Sequence, residues 1–136
     1  MINKTDFCGY DKYTITSDDI SVELITLGAT VTSLKFQGRE TALFYDSAEE
    51  YLNGAAYICA AIGRYGNRIG GAKFSLNGTE YTLAANEGKN QLHGGPDSWD
   101  KRRWQAEVIG DKALRFTIFS PDGDNGFPGN MTASLT

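Results

Sequence analysis

Alternation of apolar and polar residues with a period of two constrains the fold of this 136-residue chain more than any other feature. The alternation runs through residues 13–16, 22–27 and 29–36, the last with one slip. Such a pattern is typical of β-strands with one buried face. Between residues 73 and 83, Asn77-Gly78 separates two further alternating arms, which predicts a hairpin because both turn residues tolerate positive φ. The chain is therefore expected to be all-β.

Further strands follow from the same pattern. Residues 104–109 and 114–119 predict a second hairpin, and in residues 29–36 we expect Val31, Leu34 and Phe36 to form the buried face. Residues 131–136 still alternate where the chain stops, which indicates a fragment of a longer protein. Residues 47–52 predict one short helix with Asp46 or Ser47 as its N-cap and an end by Asn53-Gly54.

Composition excludes several classes of function. Hydrophobic residues at 40% and charged residues at 22% indicate one ordinary globular domain, and sixteen glycines against three prolines fit many tight turns. The net charge of −4 argues against nucleic acid and anionic lipid as partners. No apolar stretch approaches the roughly 18 residues of a membrane span, and no signal peptide is visible, so we expect a cytoplasmic protein. Cys8 and Cys59 are then expected to be buried free thiols.

The first of three polar, glycine-rich segments spans residues 63–71 and contains Arg64, Asn67 and Arg68. Two forked guanidinium groups on a bendable backbone could bind a ligand. The segment does not match a phosphate-binding loop. From spacing alone, a turn whose arginines are solvated or paired with carboxylates is the favoured alternative.

The second segment, residues 86–96, contains His93, the only histidine of the chain. Imidazole is well suited to transfer protons near neutral pH, although a lone histidine is more often a hydrogen-bonded structural residue. His93 cannot form a metal site, because the chain has no second histidine and both cysteines are far away in sequence. The third segment, residues 121–130, places Asp122 and Asp124 in a calcium-like spacing but lacks the glutamate at position twelve, so a plain turn is expected.

Taken together, four segments resemble the aldose 1-epimerase family in order and spacing through essentially the whole chain: residues 63–69, 90–95, 99–104 and 120–130. This resemblance implies a large antiparallel β-sandwich of the galactose mutarotase type. Residues 1–136 would be the N-terminal part of that single domain, with the C-terminal part missing. It also implies an isomerase that interconverts the α and β anomers of hexoses such as glucose and galactose without a cofactor or a metal.

The resemblance also assigns site residues. Asn67, Arg68 and His93 fall on the family positions that line the sugar pocket, with His93 as the catalytic candidate; Gly66 replaces an alanine common in the family. The family's second histidine, taken as the acid, and its glutamate, taken as the base, lie beyond this chain. We therefore expect the chain alone to be inactive, since ring opening needs two positioned proton-transfer groups. Trp99 and Trp104 are expected in the core, although Trp99 could line the sugar site.

Three alternatives remain open on this evidence. A non-catalytic carbohydrate-binding sandwich would use Arg68 and His93 as ligands only. A sugar-phosphate epimerase of the same superfamily would need more basic residues at the pocket. The third is a purely structural β-domain. Besides a small aldose as substrate, we expect self-association through exposed sheet edges.

Overall fold

The computed structural model describes residues 1–136, and antiparallel strands account for nearly all of its regular structure, which confirms the all-β prediction. The strands are β1 (Ile2–Phe7), β2 (Tyr10–Ser17), β3 (Ile20–Ile25), β4 (Thr30–Phe36), β5 (Arg39–Glu40), β6 (Arg68–Ile69), β7 (Lys73–Leu76), β8 (Thr79–Thr82), β9 (Gln91–Leu92), β10 (Gln105–Ile109), β11 (Ala113–Ser120) and β12 (Met131–Leu135). One helix, α1 (Ala48–Asn53), interrupts them, and at six residues it is too short to cross a membrane.

Strands β1 to β5 form one antiparallel sheet in sequence order. The pairing of β3 with β4 shifts register between Glu23 and Leu24, which explains the slip in the alternation of residues 29–36. Strand β1 was not predicted, because only its terminal residues Ile2 and Phe7 are apolar and no alternation marks it. It forms by pairing with β2 along its whole length.

The second main sheet contains β10, β11 and β12, and it confirms the predicted hairpin of residues 104–119. Leu114, Phe116 and Ile118 of β11 point inward and are buried. They pack with Tyr13 of the five-stranded sheet and with the two tryptophans in the main core. The two sheets thus form the sandwich layers around one core, as expected.

Both tryptophans are buried, which confirms their assignment to the core. Their rings meet edge to face at 5.6 Å between centroids, and the Trp104 indole N–H donates to the Trp99 carbonyl at 3.0 Å. Burial of an indole normally requires such a partner for its N–H. Trp99 begins a 3₁₀ turn, Trp99–Lys101, which leads into β10.

Helix α1 begins and ends where the sequence predicts. Ser47 is its N-cap and forms a capping box with Glu50, and the helix stops before Gly54. Its buried residues Ala48 and Tyr51 pack against Ile25 and Leu27, forming a second apolar cluster. The Asn77-Gly78 hairpin is also confirmed: its turn residues have φ values of 52° and 80°, and it joins β7 to β8.

Two expectations were wrong. Cys8 and Cys59 are free, as expected, but both are exposed and not buried. Cys8 lies in the turn between β1 and β2, where no layer of the sandwich can cover it. In β4, Leu34 and Phe36 are 41% and 53% exposed, since the cover over their face does not extend to that end of the strand.

Candidate functional site

A two-stranded ribbon brings the first two polar segments together. Strand β6 pairs with β9, placing Arg68 opposite Leu92 and Ile69 opposite Gln91. The Gln91 side chain is 1% exposed and donates to the carbonyls of Ala84 and Asn125 at 3.1 and 3.3 Å. This buried amide ties the ribbon to the third polar segment, so all three segments meet on one part of the molecule.

Asn67 and His93 are joined by two hydrogen bonds at the end of the ribbon. The His93 backbone N–H donates to the Asn67 carbonyl, and the Asn67 backbone N–H donates to Nδ1 of the His93 ring, both at 2.9 Å. Because Nδ1 accepts, the ring proton lies on Nε2, which is then a hydrogen-bond donor. The Tyr57 ring packs against the imidazole in a T-shaped contact, with 4.6 Å between ring centroids. The position and tautomer of His93 are therefore fixed by its neighbours.

Close packing of two glycines allows this arrangement. A Cβ atom on Gly94 would overlap the carbonyl oxygen of Gly63, and a Cβ atom on Gly63 would overlap the ring of Trp99. Gly94 also has a φ of 92°, which side-chain-bearing residues rarely adopt. The His93 turn thus rests directly on the first polar segment, which in turn rests on the buried Trp99.

Arg68 and Glu87 form a bidentate ion pair. Nε and Nη2 of Arg68 donate to the two carboxylate oxygens of Glu87, each at 2.6 Å, and Nη1 donates to Oδ1 of Asn67 at 3.3 Å. Hydrogen bonding to Arg68 lowers the pKa of Glu87, with a smaller contribution from His93, and hydrogen bonding to Glu87 raises the pKa of Arg68. The structure therefore places Asn67, Arg68 and His93 side by side, with Glu87 beside them.

A cleft of about 490 Å³ opens beside Arg68. Its other lining residues are Tyr65, Ile69, Phe74 and Phe127, so aromatic and aliphatic side chains form most of its wall. His93 is not among the lining residues of this cleft. Arg68 therefore joins the cleft to the Asn67–His93 contact, where polar groups are concentrated.

Arg64, the other arginine of the first segment, has a structural role, since all of its hydrogen bonds are made to oxygens of the protein. Its guanidinium group donates to the Ser120 hydroxyl and to the carbonyls of Ser120, Pro121, Pro128 and Gly129, at 2.8–3.0 Å. These contacts hold the third polar segment against the first. The alternative that the arginines of the first segment are paired with carboxylates holds for Arg68, which binds Glu87, but not for Arg64, whose partners are one hydroxyl and four carbonyl groups.

The third segment forms a turn, as predicted. The Asp124 carboxylate accepts two hydrogen bonds from Arg102, each at 2.6 Å, and another from the Ser120 hydroxyl. The bonds from Arg102 are the main reason that the pKa of Asp124 is lowered. Asp122 accepts from the Gly129 backbone N–H at 2.5 Å. Both carboxylates are thus used within the protein.

Sequence reasoning missed Glu87 and Tyr57 as members of the site. Glu87 lies inside the polar segment 86–96, but nothing in the sequence indicates that it pairs with Arg68, nineteen residues earlier. Tyr57 lies in the long connection between α1 and β6, which has no periodic pattern to place it. Only the folded ribbon brings these two side chains to the imidazole and the guanidinium group.

Comparison with known proteins agrees with the motif resemblance. A family model described as aldose 1-epimerase matches residues 11–136. The aldose 1-epimerase of Escherichia coli K12 is 43% identical over 84% of this chain and 34% of its own length. The galactose mutarotase of Bos taurus is 38% identical over 89% of this chain and 36% of its own length. The chain thus spans little more than a third of these curated relatives.

Solved structures show the same fold. A galactose 1-epimerase from Lactobacillus acidophilus superposes with a TM-score of 0.85 at 23% identity, over 97% of this chain and 42% of that protein. An aldose epimerase homologue from Caenorhabditis elegans gives a TM-score of 0.82 at 26% identity, over 98% of this chain and 41% of that protein. The antiparallel sandwich described above is therefore the part of a larger sandwich that the structures have in common.

Proposed function

This chain belongs to the aldose 1-epimerase family, and on that premise we propose that it supplies one part of a site that interconverts the α and β anomers of hexoses such as glucose and galactose. Residues 1–136 would form the N-terminal part of a single sandwich domain in the complete enzyme. Asn67, Arg68 and His93 would contact the sugar.

The reaction requires two proton transfers. A base removes the proton of the C1 hydroxyl while an acid protonates the ring oxygen, and the ring opens to an aldehyde. Rotation about C1–C2 then lets the ring close on the opposite face. Each proton-transfer group contributes on the order of 10²–10⁴-fold to such a rate, so both are needed for efficient turnover.

The observation that carries this proposal is the hydrogen bond from the Asn67 backbone N–H to Nδ1 of His93. It leaves Nε2–H as a fixed donor, suited to binding a sugar oxygen and stabilising the negative charge that develops there. Arg68 would donate to sugar hydroxyls from the adjacent strand position. Acid and base would come from the parts of the family domain that lie beyond this chain.

The charges around the site favour a free hexose over a hexose phosphate. Arg64 is occupied by five protein oxygens, and Glu87 neutralises Arg68. The Lys101 ammonium group donates to the carbonyls of Tyr51 and Gly54. These three cations are thus engaged by protein acceptors, whereas a phosphate site needs free donors. The one unpaired cation near Glu87 in sequence, Lys89, is exposed to solvent.

Polarimetry on freshly dissolved α-D-glucose and α-D-galactose tests the proposal. We expect the 136-residue chain alone to leave the spontaneous rate of mutarotation unchanged. Joined to the remaining part of the E. coli relative, it should accelerate the rate. In that fusion, His93→Ala should lower the rate about 10²–10³-fold, since it removes one donor that stabilises developing charge, and Asn3→Ala on the exposed strand β1 should leave it unchanged.

Each other outcome supports a different conclusion. A fast rate from the chain alone would contradict the assignment of acid and base to the missing part. Sugar binding without turnover by the fusion would favour a non-catalytic binding module. A preference for hexose 6-phosphate over free hexose would favour a sugar-phosphate epimerase.

A further inference from the structure

Glu87 is not one of the motif residues, yet it is the direct partner of the arginine that the proposed function places at the sugar. We propose that Glu87 determines the charge selectivity of this site: by occupying and neutralising Arg68 it makes the site accept electroneutral sugars and reject anionic ones, such as uronates and sugar phosphates. This inference rests on the proposed function and names the substrate class of that same site.

The geometry of the pair supports this role. Glu87 occupies the Nε and Nη2 edge of Arg68, one of the edges through which a guanidinium group binds a carboxylate or phosphate bidentately. Nη1 donates to Asn67, so two of the five N–H groups of Arg68, one on each Nη atom, remain without a partner. A neutral hydroxyl can accept from either of them. An anion would have to displace Glu87 or lie beside its negative charge.

No other charged group near the Arg68–Glu87 pair could neutralise Arg68 in place of Glu87. Lys101 is held by two backbone carbonyls, and its neighbour Asp100, which is almost fully buried, adds negative charge. Lys89 lies two residues beyond Glu87, is exposed and forms no ion pair. Without Glu87 the local balance would therefore be positive. The mutual pKa shifts agree with a tight pair, because hydrogen bonding to Arg68 lowers the pKa of Glu87 and hydrogen bonding to Glu87 raises the pKa of Arg68.

The Arg68 and Glu87 side chains are 55% and 37% exposed, so solvent screens the pair and the effect is moderate. Removing one unit charge a few ångströms from a bound anion should change its relative affinity about tenfold. The change should shrink at high salt, since exposed charges are screened. Because Glu87 is on an exposed turn, its substitution should not unfold the protein.

The test is an NMR titration of the 136-residue chain with D-galactose, D-galacturonate and D-galactose 6-phosphate at low salt. The wild-type chain should bind galactose more tightly than either anion. Glu87→Gln should shift the affinity ratio about tenfold toward the anions. Glu87→Asp, which keeps the charge, should preserve the wild-type preference, and a merely structural role for Glu87 would not produce this pattern.

Glu107→Gln is the matched control, since it removes the same charge from an exposed ion pair with Arg115 on the three-stranded sheet. The inference is overturned if Glu87→Gln leaves the affinity ratio unchanged, or if Glu107→Gln shifts it equally. Binding of galactose to the wild-type chain would still support the proposed site in that case. Failure of all three sugars to bind the wild-type chain would overturn both the inference and the proposed site.

Discussion

The contact between Gly94 and Gly63 leaves no room for a side chain at position 94, next to His93. Gly94 combines a φ of 92° with a direct approach to the backbone of Gly63, so a methyl group there meets both strain and overlap. Gly78 in the β7–β8 turn has a similar φ of 80° but open space around it. Comparing alanine substitutions at the two glycines therefore separates the free-energy cost of a positive φ, present at both, from the cost of steric overlap, present only at Gly94.

We expect Gly94→Ala to lower the free energy of unfolding by about 3 kcal/mol, and Gly78→Ala by only about 1 kcal/mol. Urea denaturation measures both. The Gly94 variant should also shift the NMR signals of His93, because the turn that carries it must move. Equal losses for the two variants would show that backbone conformation alone matters at Gly94.

Glu40 has a carboxylate surrounded by donors. It accepts from the Ser33 hydroxyl and from the backbone N–H groups of Leu34, Thr41 and Ala42, and these bonds, with that of Ser33 the largest contributor, lower its pKa from 4.5 to about 2. The folded-state pKa is below the unfolded one. The stability contributed by Glu40 is therefore fully present above pH 4.5 and is lost as the pH falls toward 2.

Carboxyl ¹³C titration should find the Glu40 midpoint near 2. Ser33→Ala should raise that midpoint, since it removes the strongest donor. Ser21→Ala, on the neighbouring strand β3 and without a bond to Glu40, should not. A wild-type midpoint near 4.5 would contradict the donor arrangement.

At this scale the sequence identified which residues to examine but not how they interact. The motif resemblance selects Asn67, Arg68 and His93, and the structure places them together. The bond to Nδ1 depends on left-handed φ values of 68° at Asn67 and 51° at His93, and such values are not visible in a one-dimensional pattern. The partner Glu87 likewise required the fold.

At the scale of elements, Arg64 links parts of the chain that are more than fifty residues apart. Its side chain reaches from the first polar segment to the end of β11 and to the turn at Pro128-Gly129. A planar guanidinium group can serve five oxygens in fixed directions, whereas a lysine ammonium group has three donors at a single point. Arg64 therefore holds the third polar segment in position together with Gln91 and Arg102, and it makes the largest number of these hydrogen bonds.

Arg64→Lys should lower the free energy of unfolding by roughly 1–3 kcal/mol, because the carbonyl of the buried Ser120 and the more exposed carbonyls of the third segment lose donors. Amide hydrogen exchange should accelerate in residues 121–130 before it does in the sheets. Arg39→Lys, on the exposed strand β5, should stay within about 0.5 kcal/mol of the wild type. Unchanged exchange in residues 121–130 would contradict the role given to Arg64.

Prediction of elements succeeded where local signals are strong. The Asn77-Gly78 turn and the Ser47 capping box each involve residues within a few positions of one another, so interactions that are local in sequence are sufficient to predict them. Strands β6 and β9 have two residues each and are held by pairing between distant segments. No periodicity can develop over two residues, and these strands carry the site.

At the scale of the whole molecule, alternation predicts buried faces but not which sheets face each other. The sandwich arrangement was implied by the family resemblance, and the relatives' structures share it. Leu34 and Phe36 show the limit of alternation, since apolar residues on an inward-directed face remain exposed where no second layer covers them. Burial is decided by the neighbouring layer and not by the strand alone.

Sheet edges lead to the last prediction, which concerns self-association. Strand β12 pairs only with β11, and its sequence contains neither charge nor proline. The edges formed by β1 and β10 carry charges, at Lys4, Asp6 and Glu107, which oppose edge-to-edge pairing. Met131 and Leu135 are 41% and 46% exposed beside the free edge of β12. This edge is therefore the one most suited to pair with a second copy.

Antiparallel pairing of two β12 strands about Ala133 would place Met131 opposite Leu135 of the second copy and Thr132 opposite Ser134, so that apolar residues meet on one face and hydroxyls on the other. We expect sedimentation velocity to show a concentration-dependent rise toward a dimer. Thr132→Lys should weaken this association at least about tenfold, since each copy of a symmetric dimer would bring one added positive charge to the interface and the two would repel each other. Thr5→Lys on the edge strand β1 should leave it unchanged. A concentration-independent monomer would contradict the prediction, and equal weakening by both variants would assign the association to a different surface.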